Sequence, residues 1–214
     1  MSARAEIMQR VRAGLGKENE AARRAAAETA MRNPVRGPQP RLAGDLAGRF
    51  VSKAQYLASS VERVDTPARV PAAVARYLAE QALPPQAVVT GDVAGFDWAG
   101  AGVDVAMREA VDGDSVGISG CFCAIAETGT LMLLSGPQTP GSVSLLPETH
   151  VAVVPVSRIV ATMEDAFALL RDERGSLPRA VNFISGPSRT GDIEQTIVLG
   201  AHGPCRVHLI LVEE

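Results

Sequence analysis

Aromatic side chains are scarce: one Trp, two Tyr and five Phe make up 4% of the 214 residues. Recognition of single-stranded nucleic acid through stacked bases therefore has little to work with. No apolar run approaches the roughly 20 residues that cross a bilayer as a helix. The N-terminus lacks the apolar core of a secretory signal, and Glu6, Glu18, Glu20 and Glu28 interrupt its Ala/Arg-rich stretch as they would not in an organelle transit peptide. A cytoplasmic protein is expected, with its three cysteines reduced. Cys121, Cys123 and Cys205 fall short of the four thiolates of an ordinary iron–sulfur cluster. A structural zinc site would need a histidine such as His202 to complete it, so no metal or cofactor is expected in this chain. A Walker-type Gly-Lys-Ser/Thr loop, a G-x-G-x-x-G turn between strand and helix, and a G-x-S-x-G elbow are all missing. These absences argue against nucleotide-driven and serine-hydrolase chemistry.

What is present is an ordinary core-forming composition, 46% hydrophobic and 21% charged, with a net charge of −3. The length suits one domain plus an appendage. Charge is unevenly placed. Residues 1–49 hold ten Lys/Arg against five Asp/Glu, a balance of +5, and the remaining eleven bases and nineteen acids give −8. A basic arm on an acidic body can bind nucleic acid. Its mixed signs and lack of aromatics favour an arm lying on its own domain or on an acidic partner, and no nucleic acid is expected.

Ile7, Met8, Val11 and Leu15 fall on one stripe at helical spacing, and Ala21 to Met31 is helix-prone with few large apolar residues. Pro34, Gly37, Pro38 and Pro40 then form a breaker-rich linker. The boundary is set there: residues 1–44 as a basic helical arm and linker, residues 45–214 as an α/β domain. In that domain Asp45 is expected to cap a helix carrying Leu46, Phe50, Ala54 and Leu57. Thr66-Pro67 starts another that reaches about Ala82, and Thr162 caps a third with Met163, Phe167 and Leu170. Short apolar segments alternate with these: Val61–Val64, Ala87–Val89, Val103–Met107, Ser115–Leu134, Val151–Val156, Val181–Ile184 and Arg206–Val212. Alternation of this kind predicts a mainly parallel sheet flanked by helices.

Three segments carry groups suited to chemistry. In Ala124–Leu133, Glu127, Thr128, Gly129 and Thr130 sit between two apolar strand segments. Gly129 permits the positive φ of a tight hairpin turn, which would set Glu127 at a strand end, where α/β sheets often bind ligands. The same residues also serve as turn formers that bond nearby backbone. In Ser185–Glu194, Gly186, Ser188, Arg189 and Thr190 follow a strand and could present N–H groups, hydroxyls and a guanidinium to a small anion. Asp192 and Glu194 would orient Arg189 or bind a cation or hydroxyls. The alternative is a capped strand-to-helix turn with Arg189 in an internal ion pair. In Leu199–Pro204, His202 between Gly200 and Gly203 is placed to titrate near neutrality and act as acid, base or phosphate partner, or else to satisfy a backbone carbonyl. His150 enters a strand with the same ambiguity, whereas His208 alternates with Val207 and Leu209 as a strand-face residue. Glu127, Arg189 and His202 are expected around one hollow at the sheet edge.

Ala124–Thr130, then Ser144-Leu145-Leu146-Pro147 with His150, then Gly186–Glu194 and Leu199–Pro204, in that order, resemble the lactate-utilisation protein C family, also called the LUD-domain family. The resemblance runs from about Asp45 to the C-terminus and is densest after Ser115. It implies the fold of ribose-phosphate isomerases, sugar-phosphate deaminases and CoA transferases. It also implies a bacterial L-lactate system, in which this chain would be the accessory component without a cluster. Iron–sulfur clusters would lie in partner subunits that oxidise L-lactate to pyruvate. The alternative is a stand-alone enzyme: Glu127-Thr128-Gly129 resembles the Glu-x-Gly around the nucleophilic glutamate of some CoA transferases, and Glu127 would attack an acyl-thioester.

Overall fold

A computed structural model describes residues 2–15, 20–33, 37–39, 42, 44–193 and 196–213. The chain divides into two units, residues 1–41 and 42–214. The first contains helices α1 (Ala3–Leu15) and α2 (Glu20–Arg32), neither of which has a buried residue. The apolar stripe of α1 is a real helical stripe, yet Ile7, Met8, Val11 and Leu15 stay exposed.

In the second unit the elements are α3 (Leu46–Tyr56), β1 (Ser60–Val64), α4 (Val70–Glu80), β2 (Gln86–Val89), β3 (Asp104–Met107), β4 (Val116–Ser119), β5 (Cys123–Ile125) and β6 (Thr130–Leu134). They continue with α5 (Ser142–Leu145), β7 (Thr149–Pro155), β8 (Ile159–Val160), α6 (Met163–Arg174), β9 (Val181–Ile184), β10 (Arg189–Ile193), β11 (Thr196–Leu199) and β12 (Arg206–Val212). Among the described residues no helix is long and apolar enough to cross a membrane.

Six strands form one all-parallel sheet in the order β1-β12-β7-β4-β2-β3. A second sheet, β8-β5-β6-β9, is antiparallel apart from the β5–β8 pair, and β10–β11 is a separate hairpin. Alternation along the strands sorts side chains into layers. Val151, Val153, Ile210 and Val212 face the layer containing α4, with Val74, Leu78 and Trp98. Ala152, Val154, Leu209 and Leu211 face the opposite way, toward Phe50 and Ala54 of α3 and Ala124, Leu131 and Leu133 of the second sheet. The far face of that sheet buries Cys123, Ile125 and Met132 against Ala166 and Leu170 of α6. The parallel sheet is thus covered on both faces, as parallel sheets require.

Local signals act as expected at α6, where Thr162 and Asp165 form a reciprocal capping box and Gly175 ends the helix in a left-handed conformation. Asp45 occupies the N-cap position of α3 without a side-chain cap bond. The Thr66-Pro67 start opens as a 3-10 turn, Pro67–Arg69, before α4 begins. The segment after β9 departs from both expectations. It neither stays a loop nor turns into a helix: residues 189–193 form β10 and pair antiparallel with β11. Thr190, Ile193, Thr196, Ile197 and Val198 supply the β-branched side chains that favour this ribbon.

Candidate functional site

From β2 the chain moves outward to β3, whereas from β4 it moves the other way, to β7 and then β12. Strand order therefore reverses between β2 and β4. The loops leaving their carboxyl ends diverge and open a crevice, the place where open α/β sheets bind ligands. A cavity of about 770 Å³ lies there, lined at its base by Thr90 and Asp92 after β2 and by Ser119 and Gly120 at the end of β4. That volume falls in the usual range for ligand sites. One wall is the Gly136–Pro140 turn with Ser144 of α5, and the other is Phe122, Arg158 and the end of α6.

The base is built by close backbone approach. The Thr90 hydroxyl donates to Asp92, and Gly120 N–H points at Asp92 Oδ1 from 3.5 Å. A Cβ on Gly120 would overlap the Asp92 carboxylate. Ser119 Oγ lies 2.8 Å from Nε2 of His150, which is fully buried on neighbouring β7. Burial without a charged partner pushes the His150 imidazole down to about 4, so the ring is neutral at physiological pH.

On the far wall Arg158 makes two parallel bonds to Glu173, 2.6 and 3.0 Å, donates from Nε to the Phe122 carbonyl and stands 4.8 Å over the Phe122 ring. This fork holds the Glu173 carboxyl below the usual carboxylate range. Arg174 brings a second guanidinium to the cavity. Cys121 also lines it, but burial raises its thiol well above the ordinary value, and Cys123 behind it rises to about 11. Both stay protonated and poorly nucleophilic. Among the described residues no group of three or more His, Cys, Asp or Glu is arranged to hold a metal ion.

The residues singled out in the sequence lie elsewhere, and the structure draws many of them together at the C-terminal end of α3. Gly129 (φ +70) closes the β5–β6 turn, and a Cβ there would come within 2.6 Å of Ala54 N. Thr128 Oγ1 donates to Thr130 Oγ1 at 2.8 Å, and Thr130 in turn meets Ser185 Oγ at 2.7 Å. Gly186 (φ +80) abuts the Leu57 carbonyl, and Arg189 donates to that same oxygen at 3.1 Å. Leu57 is the C-cap of α3, so Arg189 places its charge at the negative end of a helix dipole. Thr190 and Asp192 follow on β10, Thr190 with its side chain buried; Glu194 lies outside the described residues.

Ser188 gathers the next segment. Its N–H donates to the Pro204 carbonyl, its carbonyl accepts from Gly200, and its hydroxyl accepts from His202 N–H at 3.3 Å; Gly203 packs on its Cβ. His202 is exposed, while Glu127 is half-buried with its N–H on the Ala161 carbonyl. Of the two cavities described, neither is lined by Glu127, Arg189 or His202. The Glu127 turn and the cavity occupy opposite ends of the β5–β6 hairpin: the turn precedes Thr130, and Leu133 and Leu134 at the other end of β6 line the cavity.

Of the proposed site residues only His150 reaches the cavity base, through Ser119. Thr90, Asp92, Ser119, Gly120, Arg158 and Glu173 gave one sequence signal: hydroxyl-plus-glycine steps, Thr90-Gly91 and Ser119-Gly120, at the ends of two short apolar strands.

Comparison with known proteins agrees with this architecture. The crystal structure of a DUF162 family protein from Deinococcus radiodurans has the same fold, with a TM-score of 0.60 and 23% identity, covering 81% of this chain and 100% of that one. The lactate utilization protein C of an Exiguobacterium species is 38% identical over 123 residues, 56% of this chain and 53% of that protein. That of Bacillus subtilis is 37% identical over 130 residues (55% and 54%), and that of Shouchella clausii 43% over 101 residues (46% and 44%). The chain spans about half the length of the curated relatives it matches. The LUD domain model matches residues 49–212, nearly the whole of the two packed sheets and their helices, and the chain belongs to the LUD domain family.

Proposed function

We propose that this chain is a component of a bacterial L-lactate utilisation system. It would be the accessory component without a cluster, acting beside iron–sulfur subunits that oxidise L-lactate to pyruvate in the cytoplasm. The observation that carries this reading is the set of relatives named lactate utilization protein C, 35–43% identical to it. Three cysteines, two of them held as thiols by burial, are poor cluster ligands, which suits an accessory role.

The cavity between β2 and β4 is the ligand site in this reading. Its charges balance, Asp92 and Glu173 against Arg158 and Arg174, and hydroxyls from Thr90, Ser119 and Ser144 add polar contacts. A three-carbon acid fills only a small part of about 770 Å³. The remaining space suits a component that receives a larger ligand or a partner's chain. The stand-alone enzyme reading rests on Glu127, whose carboxylate has no partner among the described residues but which lies away from this cavity.

Affinity purification of the tagged chain from its host grown on L-lactate tests the proposal. Co-purifying subunits that contain iron and acid-labile sulfide are expected, together with loss of growth on L-lactate when the gene is deleted. A chain that purifies alone, from a host whose growth on L-lactate survives the deletion, overturns it. Acyl-CoA transfer by the isolated chain, abolished by Glu127→Gln, would establish the enzyme reading instead.

A further inference from the structure

We propose that Ser119 is a hydrogen-bond donor to an anionic or carbonyl oxygen of the cavity's ligand, and that His150 is the positioning residue that aims it. The inference rests on the reading of the cavity as the ligand site and adds which side chain at its base meets the ligand.

It starts from an imbalance of donors and acceptors. His150 is wholly buried, its Nε2 lies 2.8 Å from Ser119 Oγ, and its Nδ1 is buried with no partner among the described residues. A neutral imidazole has one N–H and one lone pair. If Nδ1 carried the hydrogen, the ring would bury an N–H donor with nothing to receive it, the rarer and costlier kind of orphan. If Nε2 carries it, the orphan at Nδ1 is only a lone pair, and Nε2–H donates to Ser119 Oγ. The second arrangement wins, because its one unspent donor, the Ser119 hydroxyl, belongs to a residue that lines the cavity, whereas an Nδ1–H would be sealed in the interior. The Ser119 hydroxyl hydrogen is then not spent on His150. Ser119 Oγ has no other partner among the described residues, and the residue lines the cavity, so the hydrogen is left for an acceptor that enters there.

Register on the sheet makes the pair a fixed unit. Gly117 aligns with His150 and Ser119 with Ala152, so His150 and Ser119 lie on one face of adjacent parallel strands, the face covered by α5 and the second sheet. Gly117 has no side chain because the Val143 carbonyl of α5 packs on it, and this fixes the roof over the pair. The burial that keeps the ring neutral also prevents it from becoming a double donor that could no longer choose its direction.

Histidine-selective ¹⁵N labelling with long-range ¹H–¹⁵N correlation reports which ring nitrogen is protonated. His150 is assigned by elimination against His202→Gln and by its response to Ser119→Ala. The expected result is the Nε2–H form; the Nδ1–H form overturns the assignment without reference to any ligand. In titrations with L-lactate, Ser119→Ala is expected to bind about ten- to a hundredfold more weakly, the loss for one hydrogen bond to a charged oxygen. Ser119→Thr, which keeps the hydroxyl, restores binding. Ser119→Ala with unchanged affinity overturns the donor role. A wild-type protein that shows the Nε2–H form but does not bind L-lactate overturns lactate as the occupant and supports the orientation of Ser119.

Discussion

Asp92 and Gly120 meet across the gap where β2 and β4 part: the carboxylate occupies the space a Cβ on residue 120 would need, and the Gly120 N–H faces Oδ1 from 3.5 Å. Two loops far apart in sequence thus share one volume, and the base of the cavity depends on the smaller residue staying small. In Gly120→Ala the atom displaced is the free end of an Asp side chain, which can rotate away. The expected outcome is a modest stability loss, about 1 kcal/mol, with disruption of the Thr90–Asp92 bond. Thermal unfolding and ligand titration of the same variant separate the two effects.

Gly117→Ala is expected to do far more damage. Its Cβ would run into the backbone carbonyl of Val143 and crowd Pro147, neither of which can swing aside. A loss of about 3 kcal/mol or more is expected, read as a lower denaturant midpoint.

Gly129 and Gly186 test the contact of two turns with the end of α3. Each has positive φ, and each meets α3 backbone or its C-cap: Ala54 N for Gly129 and Leu57 O for Gly186. Alanine at either position adds conformational strain of about 1 kcal/mol to steric overlap. Both variants should unfold at lower denaturant than wild type, Gly186→Ala because it also displaces the carbonyl that accepts from Arg189.

Arg189→Ala separates a structural role from a ligand role. The guanidinium donates to the carbonyl at the C-cap of α3, so its removal is expected to cost about 0.5–1 kcal/mol of stability. Ligand affinity at the β2–β4 cavity should be unchanged, as a calorimetric titration would record.

The two buried histidines make stability pH-dependent. Burial lowers His150 and His208 from 6.5 to about 4 in the folded protein, with Arg76 adding to the effect at His208. The unfolded chain therefore binds protons at these sites between pH 6.5 and 4 while the folded chain does not. Their contribution is fully present above pH 6.5 and is lost as pH falls toward 4, on the order of 3 kcal/mol per histidine at most. Urea unfolding across this window should show the slope, and His208→Gln, which also removes the stack on Tyr77, should flatten it.

Most individual elements were legible in the sequence because their causes are local. The Thr162 box, the glycine at the β5–β6 turn and the apolar runs of β7 and β12 act within a few residues, so the α/β class and the family motifs could be read directly. The β10–β11 ribbon was less legible, because its turn-like Ser185–Ser188 start masked the β-branched residues that follow. Where the cavity lies was decided only by tertiary structure. Strand order, which places β4 beside β2 and opens a crevice between their ends, depends on pairings between residues distant in the chain. No local pattern in Thr90-Gly91-Asp92 or Ser119-Gly120 records that these two loops face each other. Side-chain alternation tells each strand which faces it has, but only packing of the whole domain decides what lies against them.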